Sequence, residues 1–318
     1  MKKKRWFKLT VGLLSILLIA DIIAGFYFYD LAIKREQKDF LVGNQDLEVS
    51  ADAMDVFLEG GWREWYRDQT FETWEIQSFD GLTLEGKYLQ AEEMTNRTVI
   101  FAHGYLGRSR DMALYGEHYY EELGYNTLKP DLRGHGNSEG DYIGFGWHDR
   151  LDIVDWVQKV IEQQGEDAEI VLHGLSMGAA TVLMASGEEL PDNVKAVVAD
   201  SPYTSSYDLF KYQMERMYNL PSFPILPTTN MVTNLQAGYT LSEASALDQV
   251  KQTNLPVLYL HGDNDMFVPT YMAEELYENT SGEKEIHIFK DAGHGEAYAL
   301  YPSRYMDTLG SFLMQHME

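Results

Sequence analysis

The chain has 318 residues, of which 45% are hydrophobic, enough for one large α/β domain with a full core. It contains no cysteine, which excludes disulfides, thiolate metal sites and a thiol nucleophile. The net charge of −25 argues against nucleic acid and anionic lipid surfaces as partners.

Residues 1–5 read Met-Lys-Lys-Lys-Arg, and an apolar run from Trp6 to Tyr29 follows. About 20 helical residues span a bilayer core, so residues 6–29 are long enough to cross one. Trp6 and Lys8 suit one interface, and Phe26, Tyr27, Phe28 and Tyr29 form an aromatic belt for the other. A cleaved signal peptide is the competing reading, but it would have a shorter apolar core and small residues at its end. The expectation is an uncleaved single-pass anchor in the cell membrane. The basic start stays in the cytoplasm and residues 30–318 lie on the extracellular side. Asp21 is costly deep in lipid, so it should lie near the outer interface or be protonated.

Residues 31–72 are charged and amphipathic and read as a helical lead-in packed onto the domain. From residue 73 the pattern becomes regular. Thr73–Phe79 and Leu82–Leu89 flank Asp80-Gly81, a hairpin signal. Short apolar runs then alternate with helical stretches: Thr98–Ala102, Tyr125–Pro130, Glu169–His173, Val194–Ala199, Pro256–His261 and Glu285–Phe289. This alternation predicts an α/β fold, with an eight-stranded, mostly parallel sheet covered by helices on both faces. Residues 73–318 would form that domain. The stretch of about 201–251 is too long for a crossover and rich in Tyr, Met, Phe and Pro, so it reads as a small helical cap over the carboxyl edge of the sheet.

The strand Glu169–His173 runs into Gly174-Leu175-Ser176-Met177-Gly178, a G-x-S-x-G pattern between a buried strand and a helix. The glycines leave room for a tight turn that exposes the serine hydroxyl beside a helix N-terminus. A serine needs a base, and His294 follows the strand Glu285–Phe289 within Asp291-Ala292-Gly293-His294-Gly295. The base needs an orienting acid. Asp265 follows the strand Pro256–His261, where Asp263 is better placed to shape the turn, and Asp200, after Val194–Ala199, is the alternative acid. The backbone N–H groups of Met177 and Tyr105 are the expected oxyanion donors, each worth about 3 kcal/mol in the transition state.

Together these residues resemble the α/β-hydrolase superfamily, and within it bacterial membrane-anchored serine esterases. The marks are His103-Gly104-Tyr105, Asp131-Leu132-Arg133-Gly134-His135-Gly136-Asn137-Ser138, the Ser176 pentapeptide, His261-Gly262-Asp263-Asn264-Asp265 with Val268-Pro269, and Gly293-His294. The resemblance covers about residues 73–318. It implies that the acid lies three residues before the Val-Pro pair, which favours Asp265, and that Asp131–Ser138 is a structural turn without a catalytic part.

The expected function is hydrolysis of a carboxylic ester through an acyl-enzyme, with a small ester or acyl compound as substrate. Envelope acyl transfer or peptide cleavage by the same triad, and a catalytically silent anchored binding protein, are the alternatives. The sequence calls for no cofactor and no metal: G-x-G-x-x-G is absent, and no ligand set stands at metal spacing.

Overall fold

The computed structural model describes residues 2–36, 38 and 49–317. Strands β1 (Glu72–Gln77), β2 (Thr83–Leu89), β3 (Arg97–Ala102), β4 (Asn126–Pro130), β5 (Glu169–Leu175), β6 (Val194–Asp200), β7 (Val257–Gly262) and β8 (Lys284–Phe289) form one sheet in the order β1-β2-β4-β3-β5-β6-β7-β8. β2 pairs antiparallel with β1 and β4, and the remaining neighbours run parallel. All eight expected strands form, with ends shifted by one or two residues.

Helices cover both faces, as the near-continuous apolar strands require. They are α1 (Lys2–Ala32), α2 (Ala51–Glu59), α3 (Trp62–Asp68), α4 (Ala113–Glu121), α5 (Asp149–Gln164), α6 (Met177–Ala185), α7 (Ser206–Tyr218), α8 (Ile225–Ala237), α9 (Ala246–Gln249), α10 (Tyr271–Asn279), α11 (Ala297–Leu300) and α12 (Pro302–His316). On one face α5 buries Ile153, Trp156, Val157 and Val160, spaced at three and four residues. On the other, α12 buries Tyr305, Leu309, Phe312 and Leu313 against Phe101, Val198 and Leu258.

The expected cap consists of α7, α8 and α9 between β6 and β7. α7 starts where the Ser205 hydroxyl accepts the Asp208 N–H at 3.0 Å and ends at Asn219 in the left-handed conformation.

The N-terminal segment is more closely bound to the domain than the sequence suggested. α1 runs to Ala32, past the expected boundary at residue 30. Its first two-thirds are exposed all round, and the helix is long and apolar enough to cross a membrane. Its last turns are not. Phe28 and Tyr29 are buried in the main core beside Ile33, while Phe26 and Tyr27 stay exposed, so only half of the expected aromatic belt faces outward. The Tyr105 hydroxyl donates to the Ala32 carbonyl at 2.7 Å. The lead-in forms α2 and α3, and the parts of it at 37 and 39–48 lie outside the described residues. Glu296 fixes its start: one carboxylate oxygen accepts the Ser50 N–H at 2.6 Å, and the other accepts the Gly293 N–H at 2.9 Å beside His294.

Candidate active site

β5, β7 and β8 end at the same sheet edge and deliver Ser176, Asp265 and His294 there, and β6 brings Asp200 to it. Ser176 caps α6 with φ 55° and ψ −114°, a backbone conformation that costs about 1–3 kcal/mol and must be held by its surroundings. Two glycines permit the turn. A Cβ on Gly174 would lie 2.2 Å from the Gly178 carbonyl oxygen, and one on Gly178 would lie 1.9 Å from that of Ala102. The Ser176 N–H donates to the Asp200 carbonyl at 2.7 Å, which ties the turn to the next strand.

The structure brings three of the expected residues into one hydrogen-bonded line. His294 Nδ1–H donates to Asp265 Oδ2 at 2.7 Å, and the Ser176 hydroxyl lies 2.8 Å from His294 Nε2, which is placed to accept its proton. Asp265 is buried. Its Oδ1 accepts the N–H groups of Phe267 at 2.9 Å and Val268 at 2.8 Å. Burial alone would raise this carboxyl, but the charge of His294 and hydrogen bonds from His261 and His294 outweigh it and hold it far below the usual carboxylate range. The same pairing acts on His294: burial favours the neutral ring, and Asp265 more than compensates, so the imidazole sits above its ordinary 6.5.

His261 stands near the end of β7 and is buried. It also touches the acid, because Nε2 lies 2.8 Å from the Val268 carbonyl and 3.2 Å from Asp265 Oδ2. Its four-residue spacing from Asp265 is visible in the sequence, but whether a loop folds those side chains together is not. Asp263 lies apart from His294 and accepts the Asp291 N–H at 2.5 Å, which ties the loop after β7 to the loop after β8.

Asp200 does not reach His294 by a hydrogen bond. Its carboxylate accepts from Tyr305 at 2.9 Å, Tyr115 at 3.2 Å and Ser201 at 2.9 Å. Burial raises its pKa despite these three hydroxyls. As an alternative acid it is therefore misplaced: the geometry attaches Asp265 to the imidazole and leaves Asp200 below it.

Tyr105 and Met177 both stand beside Ser176, and neither backbone N–H finds an acceptor among the described residues. The loop that carries Tyr105 is set by the Asp131–Ser138 turn. The Leu106 N–H donates to His135 Nε2 at 3.3 Å, and the Leu132 N–H donates to His103 Nε2 at 3.0 Å. Desolvation keeps both rings neutral, lowering His135 to about 3. Arg133, fully buried, closes the turn with paired contacts of 2.7 Å to the two oxygens of Asp152.

Two hollows meet at Ser176. An apolar one of about 670 Å³, its open mouth included, lies under the cap and is lined by Phe210, Met214 and Met217 of α7 and by Phe28, Leu31 and Ala32 of α1. The other, of about 690 Å³ with its mouth, passes between Phe57 of α2 and Gly104, His294 and Gly295. The Met and Tyr stripe of the cap is therefore partly pocket wall. The contributions of α1 and α2 carried no sequence signal, since neither segment is patterned toward a known site.

A strained serine between a parallel strand and a helix, with His and Asp on later strand ends, defines a hydrolase-type architecture. Residues 99–308 match the alpha/beta hydrolase family, and the chain belongs to that family. It is 30% identical over 238 residues to YqkD of Bacillus subtilis strain 168, a protein described as uncharacterized, with 75% of this chain and 77% of that one covered. It is 23% identical over 227 residues to the lysophosphatidylserine lipase ABHD12 of Xenopus tropicalis, covering 68% of this chain and 57% of that larger protein. Among solved structures, the Pyrococcus furiosus esterase Pf2001 superposes with a TM-score of 0.58 at 23% identity, over 78% of this chain and 92% of the esterase, and so shares the fold.

Proposed function

We propose that the chain is a serine hydrolase that cleaves a carboxylic ester through an acyl-enzyme. Ser176 Oγ attacks the acyl carbon while His294 Nε2 takes its proton. Asp265 holds the ring and stabilises the imidazolium. The N–H groups of Met177 and Tyr105 would receive the oxyanion. Collapse of the tetrahedral species breaks the acyl C–O bond, and the alcohol leaves with the proton from His294. Water then attacks the acyl-serine by the same route and releases the acid.

The observation that carries this reading is the continuous line Asp265–His294–Ser176, with contacts of 2.7 and 2.8 Å. An esterase and a lysophosphatidylserine lipase stand among the similar proteins, which agrees with ester chemistry. The same reading carries α1 across the cell membrane from Trp6, with its last turns packed on a domain that lies on the extracellular side, on the strength of the basic start and the exposed first part of α1.

The test uses the full chain in detergent with p-nitrophenyl butyrate and a fluorophosphonate probe. Turnover and labelling that both vanish in Ser176→Ala support the reading. A wild type that neither turns over nor labels sinks it.

A further inference from the structure

We propose that the substrate is a long-chain acyl ester resident in the membrane beside the domain, and that it reaches Ser176 along an apolar path whose first wall is the anchor helix itself. This rests on the serine-hydrolase reading and names the substrate class for that site.

The exposure of α1 changes at one level. Every described side chain from residue 3 to 20 is exposed. From Trp6 at the inner interface, 20 residues at 1.5 Å each cover about 30 Å, the thickness of a bilayer core, and end at Gly25. From Asp21 onward a stripe of Asp21, Gly25, Phe28, Tyr29 and Ile33 turns toward the domain at helical spacing. The membrane boundary therefore falls along the turn from Asp21 to Gly25.

The cap lies at that boundary. Thr228 of α8 donates its hydroxyl to Asp21 Oδ2 at 2.5 Å, and a Cβ on Gly25 would come 2.7 Å from Thr228 Cγ2. No bulkier residue at 25 would allow this approach. On the same cap, large apolar side chains point outward: Phe223 is 76% exposed, Met231 73% and Leu235 75%. Met231 and Leu235 stand one turn apart on one face of α8. Side chains of this kind, beside the emergence point of a spanning helix, have a lipid surface to cover them.

The path continues upward. Phe28 lies about 10 Å along α1 from Asp21 and Leu31 about 15 Å. Both face the cavity that Phe210, Met214 and Met217 close from the other side and Ser176 closes at the end. A chain leaving the lipid along α1 thus exchanges lipid tails for Phe28, Leu31 and α7 without crossing water. An acyl ester in the leaflet fits this route, because its tail stays in apolar surroundings while the carbonyl reaches the serine.

The full chain is reconstituted in phosphatidylcholine vesicles with a fluorogenic eicosanoyl ester, whose tail keeps it in its own vesicle, and with the matching butyryl ester, which is free in water. The expected result is eicosanoyl hydrolysis at least about tenfold faster when enzyme and ester share a vesicle than when they occupy different ones. Equal rates in the two arrangements overturn the proposal. Two variants examine the path itself. Leu31→Trp is expected to lower the eicosanoyl-to-butyryl turnover ratio about tenfold by narrowing the cavity, and Phe223→Ser with Met231→Ser and Leu235→Ser to lower it by removing contact with the leaflet. Residual butyryl turnover reports that a variant is folded, and an unchanged ratio in folded variants also overturns the proposal. No butyryl turnover by the wild type would instead defeat the hydrolase reading on which it rests.

Discussion

Asp265 and Asp200 end neighbouring strands of one sheet, lie close to the same serine, and are both buried, yet their surroundings select opposite protonation behaviour. Asp265 is surrounded by N–H donors: two from the backbone of Phe267 and Val268, one from His294 and one from His261. Asp200 meets only hydroxyls, from Tyr115, Tyr305 and Ser201. The difference is chemical. An N–H cannot turn and accept, so a pocket of N–H groups demands the carboxylate. A hydroxyl can reverse, so a pocket of hydroxyls accommodates the neutral acid as well. The hydroxyl pocket extends further, since Tyr305 also meets His173 Nε2 at 3.3 Å and Tyr119 meets His173 Nδ1 at 3.2 Å. Burial lowers that histidine to about 3, so His173 adds no cation beside Asp200.

The largest test of this contrast is Asp265→Asn, expected to lower kcat on a short ester about 10⁴-fold because the amide imposes the wrong imidazole tautomer. A loss below tenfold would remove Asp265 from the role given to it. His261→Phe leaves the triad intact but takes one donor from the acid. The expected loss is about tenfold in kcat with KM little changed, in line with one hydrogen bond to a charged group. An accompanying drop in the pKa of His294 is unnecessary, so a kcat loss with an unmoved acid limb separates positioning from collapse of the site.

The acid limb itself is the third test. His294 must be neutral to accept the serine proton, and its pKa is raised above 6.5, so kcat/KM falls as pH drops through that raised value. The limb should move to lower pH in Asp265→Asn and scarcely move in Asp200→Asn. The smallest effect expected is on stability. Asp200 has a raised pKa in the folded chain, so the native state binds more protons than the unfolded one between 3.8 and the folded value. The wild type therefore loses stability as pH rises through that window, and Asp200→Asn does not. The difference in Tm, variant minus wild type, should grow with pH there, and a constant difference would show that Asp200 is as ionised as Asp265.

The contrast also marks where sequence reading stops. Ser176 was legible because its demand is local: a strand, a turn that tolerates no Cβ at Gly174 or Gly178, and a helix all lie within about fifteen residues. The eight strands were legible because buried parallel strands are apolar throughout. The choice between Asp265 and Asp200 rested on turn chemistry and on resemblance, since the tyrosines around Asp200 come from α4 and α12 and share no local pattern with it. The inward stripe of α1 was hidden for the opposite reason. Phe26, Tyr27, Phe28 and Tyr29 are all aromatic, so no polar residue distinguishes the face that packs on the domain from the face that does not.

The knitting of α1 into the domain bears on how the chain must be made. Phe28, Leu31 and Ala32 are wall, and the Ala32 carbonyl is the acceptor for the Tyr105 hydroxyl. A cut after Ala32 would remove all three side chains, open the apolar cavity to water and take away the carbonyl that fastens the loop whose backbone faces Ser176. Removal of residues 1–32 is therefore expected to lower turnover of a short ester, measured for residues 33–318 against the full chain.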